Sequence, residues 1–186
     1  MTQLRPAQAE LAAVLRKHAL REGDFTLASG RKSTWYVDGR QVTFRGDCVE
    51  IVGRAMLEAA ATVIDVDEID AVGGLAIGAD PVSVAVAFVS GKRAFAVRKE
   101  AKGHGVAGRI AGPLLPGDRV LVVEDTVTSG ASLLMAVDAI QEFGCEILGA
   151  TCLLDRSDEL APALEERKIP YFPVLTAPDL GFATGS

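Results

Sequence analysis

Residues 120–132 read Val-Leu-Val-Val-Glu-Asp-Thr-Val-Thr-Ser-Gly-Ala-Ser: an apolar run, two acids, then hydroxyl and glycine residues. These types in this order suit two chemical tasks. Backbone N–H groups from Thr126 to Gly130, at the mouth of the helix that follows, can hold a phosphate, because exposed amides and a helix dipole both favour an anion there. The hydroxyls of Thr126, Thr128 and Ser129 add hydrogen bonds. The carboxylates of Glu124 and Asp125 would repel a phosphate, so they are suited to accept hydrogen bonds from sugar hydroxyls. Phosphate plus vicinal diol describes a ribose 5-phosphate. A strand followed by a Thr or Ser helix cap is the plainer account. Capping alone, however, does not ask for adjacent acids just before the turn. No Gly-Lys-Ser/Thr follows, so this is not a nucleoside-triphosphate P-loop.

The second constellation is Phe-Ala-Val-Arg-Lys-Glu-Ala-Lys-Gly-His-Gly at 95–105, which packs Arg98, Lys99, Lys102 and His104 into seven positions. From Lys92 to Arg109 there are six Lys or Arg and one acid, Glu100, on a chain whose net charge is −6. Cations concentrated in this way can stabilise a leaving group that carries several negative charges. Gly103 and Gly105 would let the segment close over a site and exclude water. Taken alone, a solvated charge run is the simpler account; beside a phosphate loop, a functional one is stronger. Gly103 to Gly108 also matches Gly-x-Gly-x-x-Gly, but it does not open from a strand end, and Pro113 forbids a useful helix after it.

The elements that must position these residues follow from periodicity. Helices are predicted at 5–21, 47–61, 80–90 (Pro81 in its first turn), 131–143 (closed by Gly144) and 159–167. Strands are predicted at 25–27 and 34–38, around a turn at Ser29-Gly30-Arg31, and at 71–74, 93–97, 119–123, 146–154 and 171–175. The nearly pure aliphatic run at 119–123 suggests burial on both faces of a sheet. Asp65, Asp67, Glu68 and Asp70 read as a solvated loop. Residues 99–116 show neither pattern, and a loop this long in a compact domain is usually functional. Strand and helix alternate, so the fold class is α/β with a mainly parallel sheet.

At 186 residues, 49% hydrophobic and 24% charged, the chain suits one packed domain. No apolar run approaches the roughly 20 residues that cross a bilayer, and residues 1–10 hold no signal-peptide core, so a cytoplasmic protein without a membrane partner is expected. Cys48, Cys145 and Cys152 are scattered and read as reduced thiols; with only His18 and His104 beside them, a zinc site is not expected. The acidic balance disfavours nucleic acid as a partner.

Residues 120–132 resemble the motif by which type I phosphoribosyltransferases bind phosphoribosyl pyrophosphate (PRPP). The resemblance implies that Glu124 and Asp125 hold the ribose 2′- and 3′-hydroxyls. It implies a PRPP site running on through Thr126, Val127, Thr128, Ser129, Gly130, Ala131 and Ser132, with 126–130 on the 5′-phosphate. Arg-Lys-x-x-Lys-x-His at 98–104 resembles the loop specific to orotate phosphoribosyltransferases. That implies PRPP contacts by Arg98, Lys99, Lys102 and His104, with Lys102 on the departing pyrophosphate. It implies a catalytic set of Lys102, His104, Arg98 and Asp125, and a homodimer that shares loop 98–109 across subunits.

Residues 25–38 resemble the family's N-terminal hood, with Trp35 or Tyr36 against the base; the family often has Lys where this chain has Ala28. Residues 73–81 resemble its pyrophosphate loop, although many relatives carry Tyr-Lys in place of Ile77-Gly78. Arg156, beside Asp155, matches the arginine that pairs with the orotate carboxylate, as a bidentate guanidinium does well; Thr128 is implied as a second orotate contact.

The resemblance covers roughly residues 20–160. It implies the type I phosphoribosyltransferase fold in a single domain 1–186, with a hood over about 1–45 and a core over about 46–186. The implied reaction joins orotate N1 to the phosphoribosyl group of PRPP, with Mg²⁺ held mainly by the substrate and no metal site on the protein. Two rivals are another nucleobase as acceptor and a non-enzymatic PRPP-binding regulator. The intact 98–104 loop and Arg156 argue against the first, and the acidic charge against the second.

Overall fold

A computed structural model describes residues 4–26, 32–101, 106–157 and 159–183. The chain opens with helix α1, Pro6–His18. Leu11 and Leu15 fall on one face and are buried, and Arg16, Lys17 and His18 crowd the last turn, where the helix dipole favours cations. The predicted helix ran on to 21, but Leu20 already belongs to β1, Leu20–Thr26, which pairs antiparallel with β2, Lys32–Val37. Pairing with a partner strand outweighs helix propensity there. The turn expected at Ser29-Gly30-Arg31, together with Ala28, lies outside the described residues. In β2 burial alternates, so Ser33, Trp35 and Val37 face inward and Tyr36 faces out.

A four-residue helix α2, Arg40–Thr43, follows; its length leaves no periodicity to read. Helix α3, Val49–Ala60, opens behind a 3-10 turn at Gly46–Cys48, which shortens the predicted 47–61 helix. The acidic stretch contains a second 3-10 turn, Val66–Glu68, and Asp70 is not merely solvated: it pairs with Arg119 at 3.3 Å.

The remaining elements are β3 (Ala71–Leu75), α4 (Ala79–Ser90), β4 (Arg93–Val97), β5 (Ile110–Ala111), β6 (Arg119–Val127), α5 (Ala131–Glu142), β7 (Glu146–Asp155), α6 (Leu160–Glu166) and β8 (Leu175–Thr176). They form one six-stranded sheet in the order β5-β4-β3-β6-β7-β8, parallel apart from β5. The aliphatic run of β6 is buried on both faces, as expected. Leu121 and Val123 join the core that includes α1, α3 and α4, while Val120 and Val122 join the core under α5 and α6.

Three expectations need correction. Strand β6 does not stop at 123; parallel pairing with β7 carries it through Glu124 and Asp125 to Val127. The loop 99–116 is not wholly irregular: a 3-10 turn at Val106–Arg109 leads into β5, which pairs with β4. The last strand shrinks from 171–175 to Leu175–Thr176 plus one bridge, Ala150 to Tyr171, because Pro170 and Pro173 cannot donate to a ladder. All three cysteines are free thiols, with Cys48 and Cys152 buried.

Candidate active site

The chain runs outward from β3 to β4 and then returns to place β6 on the other side of β3. Connections therefore diverge between β3 and β6, and such a switch point opens a crevice at the carboxyl ends of the strands. A cleft of about 1110 Å³ lies there, lined in part by Glu124, Asp125, Thr128, Arg156 and, from the β1–β2 hairpin, Phe25 and Tyr36.

Glu124 is buried and Asp125 half-buried near the carboxyl end of β6. Asp125 N–H donates to Glu124 Oε1 at 3.1 Å, and Thr126 N–H donates to Asp125 Oδ1 at 2.6 Å. Burial, and then the neighbouring Asp125 charge, push the Glu124 carboxyl up to about 8; burial also pushes Asp125 upward. Two backbone segments close on this pair. A Cβ at Gly78 would stand 2.9 Å from both Glu124 Oε1 and Asp125 Oδ1, and one at Gly39 would stand 2.9 Å from Thr126 Oγ1 and 3.3 Å from Asp125 Oδ2. A side chain at Gly78 would have to displace the two carboxylates, and one at Gly39 would press on Thr126 and Asp125.

The segment expected to hold a phosphate follows directly. Thr128 and Ser129 are exposed and, with Ser132, line the cleft. Gly130, in the left-handed conformation at φ 77°, turns the chain into α5. Val127 is 2% exposed, so it can offer only its backbone to the loop; Gly130 packs toward Leu160, and Ala131 does not line the cleft.

Lys99 reaches the cleft. Arg98 does not line it: its guanidinium donates to the carbonyls of Gly108 at 3.1 Å and Ile110 at 3.4 Å, bracing the returning loop. Lys102 and His104 lie outside the described residues.

At the end of the neighbouring β7, Arg156 is 3% exposed, and its backbone N–H donates to the Val127 carbonyl at 2.9 Å. Its guanidinium carbon sits 3.8 Å over the Trp35 ring, and Nη2 donates to Ser33 Oγ at 3.3 Å. Trp35 is fully buried and stacks on Phe182 at 4.4 Å. Of the two hood aromatics, Tyr36 faces the cleft and Trp35 supports Arg156 from beneath. Asp155 fixes the neighbouring backbone: its Oδ1 accepts from Ser157 N–H at 2.7 Å and its Oδ2 from Tyr171 O–H at 2.8 Å. Burial, foremost, raises the Tyr171 hydroxyl well above its ordinary value, so it stays a donor.

Sequence reasoning passed over Arg40, Asp38 and Tyr171. Arg40 and Asp38 line the same cleft, but no local pattern separates them from surface charge. Among the described residues no group of three or more His, Cys, Asp or Glu is placed to hold a metal. The carboxylates of Glu124 and Asp125, both lining the cleft, are hard oxygen donors of the kind that Mg²⁺ takes.

A model of the phosphoribosyl transferase domain matches residues 51–174, which takes in the acid pair, the phosphate loop and Arg156. Over 177 residues the chain is 44% identical to the orotate phosphoribosyltransferase of Corynebacterium glutamicum, covering 94% of each chain. The chain belongs to the orotate phosphoribosyltransferases. Solved orotate phosphoribosyltransferases share its fold. The Mycobacterium tuberculosis protein in complex with Fe(III) dicitrate has a TM-score of 0.84 and 42% identity, covering 95% of this chain and 100% of that one. The same orotate phosphoribosyltransferase in complex with PRPP has a TM-score of 0.79 and 40% identity, again over 95% and 100%.

Proposed function

We propose that this orotate phosphoribosyltransferase transfers the 5-phosphoribosyl group of PRPP to N1 of orotate in pyrimidine nucleotide synthesis, giving orotidine 5′-monophosphate and pyrophosphate. The observation that carries this reading is the meeting of two recognition elements in one cleft. The acid pair and the 126–132 segment line it from the end of β6, and the braced guanidinium of Arg156 lines it from the end of the neighbouring β7.

Orotate N1 gives up its proton, to the departing diphosphate or to water, and bonds to ribose C1 as the bond from C1 to the diphosphate oxygen breaks. The protein's part is positioning and charge stabilisation, and no protein nucleophile is required. Glu124 and Asp125 accept from the ribose hydroxyls, which fixes C1. Amides and hydroxyls from 126 to 132 hold the 5′-phosphate. Arg156, with Thr128, grips the orotate carboxylate and directs N1. Lys99 meets the diphosphate from the cleft edge, while Lys102 and His104 reach it as it departs. Arg98 shapes the loop that carries them. Closure of that loop excludes water, which would otherwise hydrolyse an oxocarbenium-like ribose.

When bound with the substrate, Mg²⁺ would neutralise charge on the leaving group, with Glu124 and Asp125 the nearest hard oxygen donors that the chain offers. The working unit is a homodimer in which loop 98–109 is shared between subunits, acting in the cytoplasm. No helix among the described residues is long and apolar enough to cross a membrane.

The test compares orotate, adenine, hypoxanthine and uracil as acceptors with PRPP and Mg²⁺. Orotate alone is expected to be consumed at a substantial rate; preference for any other base would overturn the assignment. Lys102→Ala is expected to slow turnover strongly with the fold intact, and unchanged turnover would remove Lys102 from the mechanism.

A further inference from the structure

Asp38 and Gly39 link β2 to α2, whose first residue is Arg40, and Gly39 lies close to Thr126 and Asp125. Arg40 Nε donates to Asp38 Oδ1 at 2.8 Å, the Arg40 backbone N–H donates to the same oxygen at 3.3 Å, and Gln41 Nε2 holds the other carboxylate oxygen at 3.3 Å. The guanidinium is thus anchored at Nε. Its two terminal nitrogens make no hydrogen bond among the described residues. The side chain lines the cleft, is 53% exposed, and lies within electrostatic reach of Asp125. A planar fork with its terminal donors unspent, on a stem already oriented by a carboxylate, is suited to two oxygens of a phosphate.

The charges in the cleft narrow the choice of anion. Among the described residues, the lining cations are Arg40, Lys99 and Arg156. PRPP and orotate bring three anionic groups. The 5′-phosphate has the 126–130 amides, and the carboxylate has Arg156, on its Trp35 platform. The diphosphate leaves from C1, next to the hydroxyls that the acid pair accepts. The segment Ala76-Ile77-Gly78, which closes on the acids from the β3 side, offers no charged side chain there.

We propose that Arg40 is a diphosphate ligand: its guanidinium fork binds the pyrophosphoryl group of PRPP and the released pyrophosphate, supplying across the acid pair the charge that the 76–78 segment lacks. This rests on the PRPP reading above and adds a residue to it.

The reverse reaction, from orotidine 5′-monophosphate and pyrophosphate, reads the diphosphate subsite separately from the nucleotide subsite. Arg40→Ala is expected to raise KM for pyrophosphate, and in the forward direction KM for PRPP, about tenfold or more, as loss of a charge-assisted two-point contact does. Arg40→Lys, with the charge but not the fork, is expected to recover part of that loss. KM for orotate and for orotidine 5′-monophosphate is expected to stay within about twofold, because neither ligand carries the diphosphate. Calorimetric titration with inorganic pyrophosphate and Mg²⁺ is expected to show the same weakening. Should Arg40→Ala not fold, Arg40→Lys carries the test through the same ratio of constants. An unchanged KM for pyrophosphate would overturn the proposal, as would equal losses for pyrophosphate and nucleotide. A wild-type protein that makes no nucleotide from PRPP and orotate would instead overturn the reading on which the proposal rests.

Discussion

The guanidinium of Arg156 lies 3.8 Å over the ring of Trp35, although 121 residues separate them in the chain. Trp35 in turn stacks on Phe182, nearly parallel at 10°. A cation set on an aromatic face and tied to Ser33 Oγ loses little freedom when it binds a carboxylate. The hood strand β2 therefore does more than cover the cleft. It also holds the guanidinium of Arg156, the residue proposed to grip the acceptor's carboxylate.

Trp35→Phe should weaken this support. A cation–π contact is worth about 0.5–2 kcal/mol, so KM for orotate is expected to rise about two- to thirtyfold while KM for PRPP stays put. Arg156→Lys is expected to cost orotate about tenfold or more, since an ammonium cannot make the bidentate contact. Steady-state kinetics with each substrate varied in turn distinguishes these outcomes from a general loss.

Tyr171→Phe removes a single hydroxyl from Asp155, whose other oxygen holds Ser157 N–H beside Arg156. Leaving a buried carboxylate short of a donor costs about 1–3 kcal/mol, which denaturant unfolding would detect. KM for orotate is expected to rise several-fold, with KM for PRPP unchanged. Equal rises in both constants would mean that the bond serves the fold alone.

Glu124 carries its proton in the folded state up to about pH 8, against 4.5 for the ordinary group, because it is buried beside Asp125. Between those values the unfolded chain binds fewer protons, so stability falls as pH rises through the window and levels off above it. Glu124→Gln should flatten that slope, which thermal unfolding at about pH 5 and about pH 9 would show. Sugar hydroxyls donate to the ionised carboxylate, so PRPP binding near neutral pH is expected to release protons. Calorimetry in buffers of different ionisation enthalpy reads the sign, and proton uptake would contradict the assignment of Glu124 to the diol.

Gly78→Ala would bring a methyl within 2.9 Å of both carboxylates, and Gly39→Ala would bring one equally near Thr126 Oγ1. Each must push the acid pair aside. A displacement of about 1 Å can cost on the order of 100-fold in turnover, so a large fall in kcat/KM for PRPP is expected. Circular dichroism should show the fold retained.

The candidate site was legible in the sequence wherever its groups are neighbours in the chain. Glu124, Asp125 and the 126–130 loop are contiguous, and the aliphatic run before them could only be a buried strand. What could not be read depends on long-range contact or on length. Nothing local says that Trp35 lies under Arg156 or that Tyr171 reaches Asp155. Four-residue α2, which begins at Arg40, is too short for a period. The extension of β6 past the acids depends on pairing with β7, and the shortness of β8 on two prolines whose missing N–H groups outweigh the β-branched and aromatic residues around them.

A crystal structure with PRPP and Mg²⁺ tests the central claim most directly. The 5′-phosphate is expected on the amides of 126–130, the two ribose hydroxyls on Glu124 and Asp125, and the diphosphate toward Lys99 and Arg40. PRPP bound elsewhere, with residues 124–130 untouched by it, would contradict the account.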